Sequence, residues 1–423
     1  MNKRIFCRSA EGKIKSIASK SVAHRLLICA AFADAPTRIY CEKTNNDIEA
    51  TATCLSALGA RIERNAPYYN VTPIKPCDVI KGASLPCGES GSTLRFLLPV
   101  AAALGADCSF ELEGRLPDRP LSPLREELEA HGIAISGKNP LQIRGKLIGN
   151  SFSIDGNVSS QFISGLLFAL TLLDAESTLK VNGKLESAPY VDITRDALAL
   201  FGAPVSNLEN TYKAKAYTSL HSPRSIDVEG DWSNAAFPLA LGAIGRSVEV
   251  LGLSKDSSQG DKAIVDILRR FGADIVYNEE NGSYVSKKSE LHGIDIDASQ
   301  IPDLVPILAT VASVAKGRTV IYGASRLRLK ESDRLKSVSE FLNSLGADVI
   351  QTNDGLIING VEHLCGAKID SFNDHRIAMS AAVASAVCEG EIILSRSEAV
   401  EKSYPSFWQD MLGVGIISED ITI

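Results

Sequence analysis

Several Lys and Arg residues of this 423-residue chain stand beside Ser, Gly or Pro at the points where apolar helices are expected to begin. In SIASKSVAHRLLICAAFA, Ser19, Lys20 and Ser21 precede an apolar run, and Arg25 follows one turn later. In LPCGESGSTLRFLLPVAAAL, Gly88, Gly91, Ser92 and Thr93 open another helix, with Arg95 just inside. A helix N-terminus carries unpaired N–H groups and a partial positive charge, and small residues let an anion reach them. Each segment is therefore a candidate phosphate or carboxylate seat.

Three further clusters share this character: VSSQFISGLL with Ser159, Ser160 and Gln161, RLKESDRLK with Lys330, Glu331, Asp333 and Arg334, and FNDHRIAMSAA with Asn373, Asp374, His375 and Arg376. The helix after NDHR carries Ala378, Ala381, Ala382 and Ala386 as a close-packing stripe, so its charged start should face something specific. The chain as a whole is acidic, with 44 Lys and Arg against 51 Asp and Glu. That balance argues against a general polyanion binder, and aromatics do not interleave the basic positions as single-stranded nucleic acid would require. The cations must be concentrated locally.

The elements that would position these residues follow a repeat. Helices are expected to end at Gly59, Gly132, Gly202, Gly272, Gly346 and Gly413, in strings such as LSALGARI and LRRFGADI, spaced roughly 70 residues apart. Gly suits the residue after a helix because a left-handed conformation costs it nothing extra. Ile264, Ile267, Leu268 and Phe271 fall on one helical face, as do Leu335, Val338, Phe341, Leu342 and Leu345. SPLREELEAHGI should open with Ser122 as N-cap and Pro123 at the first helical position. Segments such as ARIERN and ADIVYN, after the glycines, read as strands with one wet face. The fold class is mixed α/β.

Length implies two domains of about 200 residues. Three repeats each, with the N-terminal strand pairing with the C-terminal half, give residues 1–18 plus 230–423 as one domain and 19–229 as an inserted one. The apolar runs around Phe96 to Leu104 and Val305 to Ala315 are too short for a bilayer, and the first 15 residues lack a signal-peptide pattern, so a cytoplasmic address is expected. Nine Cys (7, 29, 41, 54, 77, 87, 108, 365, 388) show no CxxC pair and read as buried small hydrophobes rather than a metal site.

The strings SKSVAHR, GESGSTLR, DRPLSPL, SSQF, ESAPYVDIT, LKESDR, NDHRIAM and EKSYPSF, in that order, resemble the successive motifs of the 5-enolpyruvylshikimate-3-phosphate (EPSP) synthase family of aromatic amino-acid and chorismate synthesis. LKESDR with NDHR is the most specific part. The resemblance implies two similar domains, each of three βαβαββ units in an inverse α/β barrel-like arrangement, that close over the substrates. It implies transfer of the enolpyruvyl group of phosphoenolpyruvate to the 5-hydroxyl of shikimate 3-phosphate, releasing phosphate, with no metal or organic cofactor. No nucleic-acid or membrane partner is expected, and a monomer is the default.

Carried over by motif, Lys20, Ser21, Arg25, Ser159, Ser160, Gln161, Ser187, Asp303 and Lys330 would bind shikimate 3-phosphate. Lys20, Gly91, Arg119, Gln161, Arg334, His375, Arg376 and Lys402 would bind phosphoenolpyruvate, where planar Arg forks suit carboxylate and phosphate. Asp303, in QIPDLVPIL, would act as general base, with Glu331 and Lys20 as the other proton-transfer candidates. Glu89 and Arg326 depart from the family, which often has Asn at both places. The alternative is the related UDP-N-acetylglucosamine enolpyruvyl transferase, whose mobile loop commonly carries a Cys; the corresponding stretch here, GRLPDRP, has none.

Overall fold

The computed structural model describes residues 1–75, 78–216 and 220–422, so Cys77 lies outside the described residues. The chain forms two compact units, Met1–Ile17 with Glu229–Ile423, and Ala18–Val228. Among the described residues each unit holds three four-stranded sheets of one pattern. Strands Ser84–Gly88 and Ser109–Leu112 pair parallel, and the hairpin Ala134–Ser136 and Leu141–Arg144 adds antiparallel through its second strand. The parallel pair requires a crossover, supplied here by the helix Gly91–Leu104.

The same βαβαββ order recurs with Ser151–Asp155 and with Asp295–Asp297 as first strand. The other three units borrow strands from far along the chain. Ser225–Asp227 opens the sheet of Thr37–Tyr40, Glu11–Lys15 opens that of Ser247–Leu251, and Asn2–Cys7 lies between Ile392–Ser395 and Ile416–Ile421. Among the described residues the six sheets are hydrogen-bonded separately, so the barrel-like expectation is met by open sheets around helices without strand closure.

The first helix of every repeat is almost wholly buried. Gly91–Leu104 and Ser160–Leu170 belong to one core; Trp232–Ile244, Val305–Ala312 and His375–Ala384 belong to the other. Gly165 shows how close the packing is, since a Cβ there would meet the Arg95 carbonyl oxygen at 2.2 Å. The second helices are amphipathic, and Ile264, Ile267, Leu268 and Phe271 are buried in one of them.

Two local expectations fail. Gly59, Gly132, Gly202, Gly272 and Gly346 do have positive φ, but Gly413 ends its helix at φ −62 and Gly415 takes the left-handed position at φ 90. The sixth helix is short, and its turn closes through Gly413 N–H on Gln409 and Asp410 carbonyls, which delays the reversal. Nor does Ser122 cap Leu124–Ala130, because Pro123 stands at the cap and the Leu121 carbonyl accepts from Arg125 N–H.

Candidate functional site

In both units the chemistry-bearing residues gather at helix starts, where a strand hands over to a helix. Within Met1–Ile17 with Glu229–Ile423, Asp303 occupies a 3-10 turn, Pro302–Leu304, ahead of the buried helix Val305–Ala312. Its Oδ1 accepts from Arg334 Nη1 at 2.8 Å and lies 3.4 Å from Lys330 Nζ. Its Oδ2 accepts from Arg376 Nη2 at 3.1 Å, and Arg376 Nη1 donates to the Asp303 carbonyl at 3.1 Å. Three cations thus surround one carboxylate whose side chain keeps 15% exposure.

Arg334 is the hub of this cluster. Its side chain is 2% exposed, and it donates from Nε to Asp374 Oδ2 at 2.7 Å and from Nη2 to Asp374 Oδ1 at 3.2 Å. Burial alone would make this guanidinium easier to deprotonate, but Asp374, Asp303 and Glu331 outweigh it and raise its pKa. Asp374 is also the N-cap of His375–Ala384, accepting from Arg376 N–H at 3.0 Å, so one carboxylate sets both the helix start and Arg334. His375 Nδ1 lies 2.9 Å from Glu331 Oε2. Burial pushes the Glu331 carboxyl up, yet His375, Arg334 and Lys402 more than offset it and hold it well below the usual range. Lys402 Nζ also donates to the Asn373 carbonyl at 2.8 Å. Glu331, Asp374 and His375 bring ligand atoms within 4.8 Å of one another. Arg334 bonds both Asp374 oxygens and lies 3.6 Å from Glu331 Oε1, so these side chains form one ion-pair network.

Within Ala18–Val228, Lys20 opens the helix Lys20–Ala31, and its Nζ donates to Asp47 Oδ2 at 2.8 Å. Ser21 follows, and its carbonyl accepts from Arg25 Nη1 at 2.6 Å. Arg25 turns inward: Nε donates to Thr194 Oγ1 at 2.7 Å, Nη2 to the Tyr190 carbonyl at 2.7 Å, and the guanidinium lies 4.9 Å from the Phe96 ring centroid. Burial without a carboxylate brings its pKa down to about 9. Gly91 begins its helix behind the N-cap Ser90, and a Cβ there would come 2.6 Å from Arg119 Nη1 and 3.1 Å from Arg95 Nη1. Only Gly lets the two guanidinium groups approach the backbone this closely.

Arg95 donates to Gln161 Oε1 at 2.8 Å, and Gln161 Nε2 donates to Ser92 Oγ at 3.0 Å, which joins the Gly91 and Ser160 helix starts. Burial first, and then repulsion from Arg119, depress the Arg95 pKa well below its ordinary value. Ser159 is the N-cap position of Ser160–Leu170, and Ser187, at φ 55, that of Ala188–Leu200. The structure thus links Gly91, Arg119 and Gln161 through Arg95, and Ser21 with Arg25.

Sequence reasoning passed over several partners that organise these groups. Asp47 grips Lys20; Ser233 accepts from Arg376 Nη2 at 2.7 Å; Asp261 accepts from Ser233. The available signal was positional, since all three stand at or near the start of a repeat helix. Arg326, one of the two departures, donates to the Ser299 carbonyl at 2.9 Å, and Glu89 packs on Gly114.

Residues 8–411 match the family model described as EPSP synthase (3-phosphoshikimate 1-carboxyvinyltransferase). The chain is 43% identical over 410 residues to a 3-phosphoshikimate 1-carboxyvinyltransferase of Clostridium kluyveri, covering 96% of this chain and 95% of the relative. It is 42% identical over 418 residues to the protein of the same name from Clostridium acetobutylicum, with 96% and 95% covered. A solved EPSP synthase of Acinetobacter baumannii superposes with TM-score 0.82 at 27% identity, covering 99% of this chain and 100% of that one.

Proposed function

This chain belongs to the EPSP synthase family, and on that premise we propose that it transfers the enolpyruvyl group of phosphoenolpyruvate to the 5-hydroxyl of shikimate 3-phosphate, releasing phosphate. The observation that supports it best is Asp303, a partly exposed carboxylate gripped by Arg334, Arg376 and Lys330 at a helix start. The substrates carry two phosphates and two carboxylates, and fixed cations in a water-poor site stabilise such charge far better than bulk water does.

In this reading Asp303 takes the proton of the 5-hydroxyl as that oxygen bonds C2 of phosphoenolpyruvate. C3 gains a proton, giving a tetrahedral intermediate. Loss of a proton from C3 and cleavage of the C2–O bond to phosphate then yield the enolpyruvyl product. Lys20, an ammonium held by Asp47, is suited to deliver the C3 proton, and the ionised Glu331 to receive one. Ser21, Arg25, Ser159, Ser160, Ser187 and Lys330 serve shikimate 3-phosphate; Gly91, Arg119, Arg334, His375, Arg376 and Lys402 serve phosphoenolpyruvate; Gln161 serves both. We further take the enzyme to be a cytoplasmic monomer. Unbridged buried thiols support a reducing compartment, as with Cys54 and Cys87, whose sulfurs lie 4.0 Å apart.

The test is phosphate release by purified protein with phosphoenolpyruvate and either shikimate 3-phosphate or UDP-N-acetylglucosamine. Release with shikimate 3-phosphate alone is expected. Release only with the nucleotide sugar would overturn the reading.

A further inference from the structure

Asp261 is a buried carboxylate, 3% exposed, in the turn Gly260–Ala263 at the start of the helix Ile264–Phe271. This is the second helix of its repeat. The corresponding starts in the next two repeats hold Lys330 to Arg334 and Lys402, both in the proposed machinery. Asp261 has no such role assigned, yet it reaches the same cluster. Its Oδ2 accepts the Ser233 hydroxyl in a short hydrogen bond, Ser233 Oγ accepts from Arg376 Nη2 at 2.7 Å, and Arg376 grips Asp303 through Nη2 on Oδ2 and Nη1 on the backbone carbonyl.

We propose that Asp261 is a positioning residue of the transfer reaction, which through the Ser233 hydroxyl fixes the Arg376 guanidinium on Asp303. This rests on the reaction assigned above. A hydroxyl has one hydrogen and a guanidinium only donates, so an ionised Asp261 permits a single polarity: Arg376 to Ser233 to Asp261. With that hydrogen committed, the Ser233 lone pairs face Arg376, and the fork cannot swing off Asp303 without leaving a buried donor unmatched. The turn itself is anchored: Gln259 Nε2 donates to the Gly230 carbonyl at 2.8 Å, and Gln259 Oε1 accepts from Trp232 N–H at 3.1 Å. The chain just ahead of Asp261 is therefore tied to the chain just ahead of Ser233.

The charged groups acting on Asp261 are Asp303 in the 3-10 turn, Arg376 on the His375–Ala384 helix and Asp231 at the cap of Trp232–Ile244. Burial above all, and then the like charge of Asp303, raise its pKa to about 6. Near neutrality it accepts from Ser233; below about pH 6 it takes a proton and the bridge loses its fixed direction.

The experiment compares wild type, Asp261→Asn, Ser233→Ala and Ser233→Thr by kcat across pH 5 to 8, normalised to active sites counted in a single turnover. Asp261→Asn and Ser233→Ala should each lower kcat about tenfold with the KM for shikimate 3-phosphate within twofold. The double variant should be no worse than either single one, because both break the same bridge. Ser233→Thr should keep most of the activity, and the inflection near pH 6 should vanish in Asp261→Asn. A wild-type kcat in Asp261→Asn, additive losses in the double variant, or a lowered kcat that keeps the inflection would overturn the proposal. If Asp261→Asn does not fold, Ser233→Ala against Ser233→Thr decides: equal rates contradict it. Failure of the wild type to release phosphate with shikimate 3-phosphate would instead sink the reaction assigned above.

Discussion

The two units treat their buried guanidinium groups in opposite ways. Arg334, in the unit that holds Asp303, is locked between Asp374, Asp303 and Glu331, and its pKa rises in spite of burial. Arg25 and Arg95, in the other unit, are held by carbonyls, hydroxyls, an amide oxygen and aromatic rings, with no carboxylate bonded to either among the described residues, and their pKa values fall. Charge left uncompensated is ready for an anion, whereas charge paired to carboxylates holds those carboxylates in place. The first arrangement suits a fixed carboxylate such as Asp303, and the second suits a seat for an anion.

The sharpest way to break that comparison is Asp303→Ala, which should lower turnover by about 10²-fold or more with substrate binding largely kept. Near-normal turnover in a steady-state assay would remove Asp303 as base. Arg334→Met and Arg25→Met come next, measured by urea unfolding. Removing Arg334 strands the fully buried Asp374 and should cost about 3 to 5 kcal/mol. Removing Arg25 strands only carbonyls and hydroxyls and relieves a desolvated charge, so the net loss should stay below about 2 kcal/mol while affinity for shikimate 3-phosphate falls. Equal losses would erase the contrast.

A smaller effect comes from two buried titratable groups of opposite sign. His24, whose Nδ1 lies 2.6 Å from Thr51 Oγ1, is pushed by burial from 6.5 down to about 3, so the folded state refuses a proton that the unfolded chain accepts. Stability of its unit should therefore fall as pH drops from 6.5 toward 3. Asp261, raised from 3.8 to about 6, binds its proton more tightly when folded, so its contribution should fall as pH rises across that window. Urea midpoints against pH should show the His24 slope flattened in His24→Asn and the Asp261 slope flattened in Asp261→Asn. Unchanged slopes would contradict both assignments.

Much of this organisation could be read from the chain because helix starts and stops are written locally. Gly59 through Gly346 mark turns through the left-handed backbone that a missing Cβ allows, and Gly91 and Asp303 stand beside the helices they introduce. What could not be read is the direction in which a long side chain turns. Arg25 has the same local setting as a surface cation, but the packing of the Tyr190 and Thr194 helix against its own draws it inside. Asp47, Asp261 and Asp374 look alike in sequence, as acidic residues at helix starts. Only the tertiary fold decides that Asp47 meets Lys20, that Asp374 meets Arg334, and that Asp261 meets Ser233. Gly413 fails as a marker because its N–H still closes on the Gln409 and Asp410 carbonyls, and the left-handed position falls to Gly415.

The most direct measurement of the proposed reaction is a crystal structure of the protein with shikimate 3-phosphate and phosphoenolpyruvate bound. Asp303, Arg334 and Arg376 should each lie within hydrogen-bonding reach of a bound substrate. Substrates bound away from all three would contradict the account.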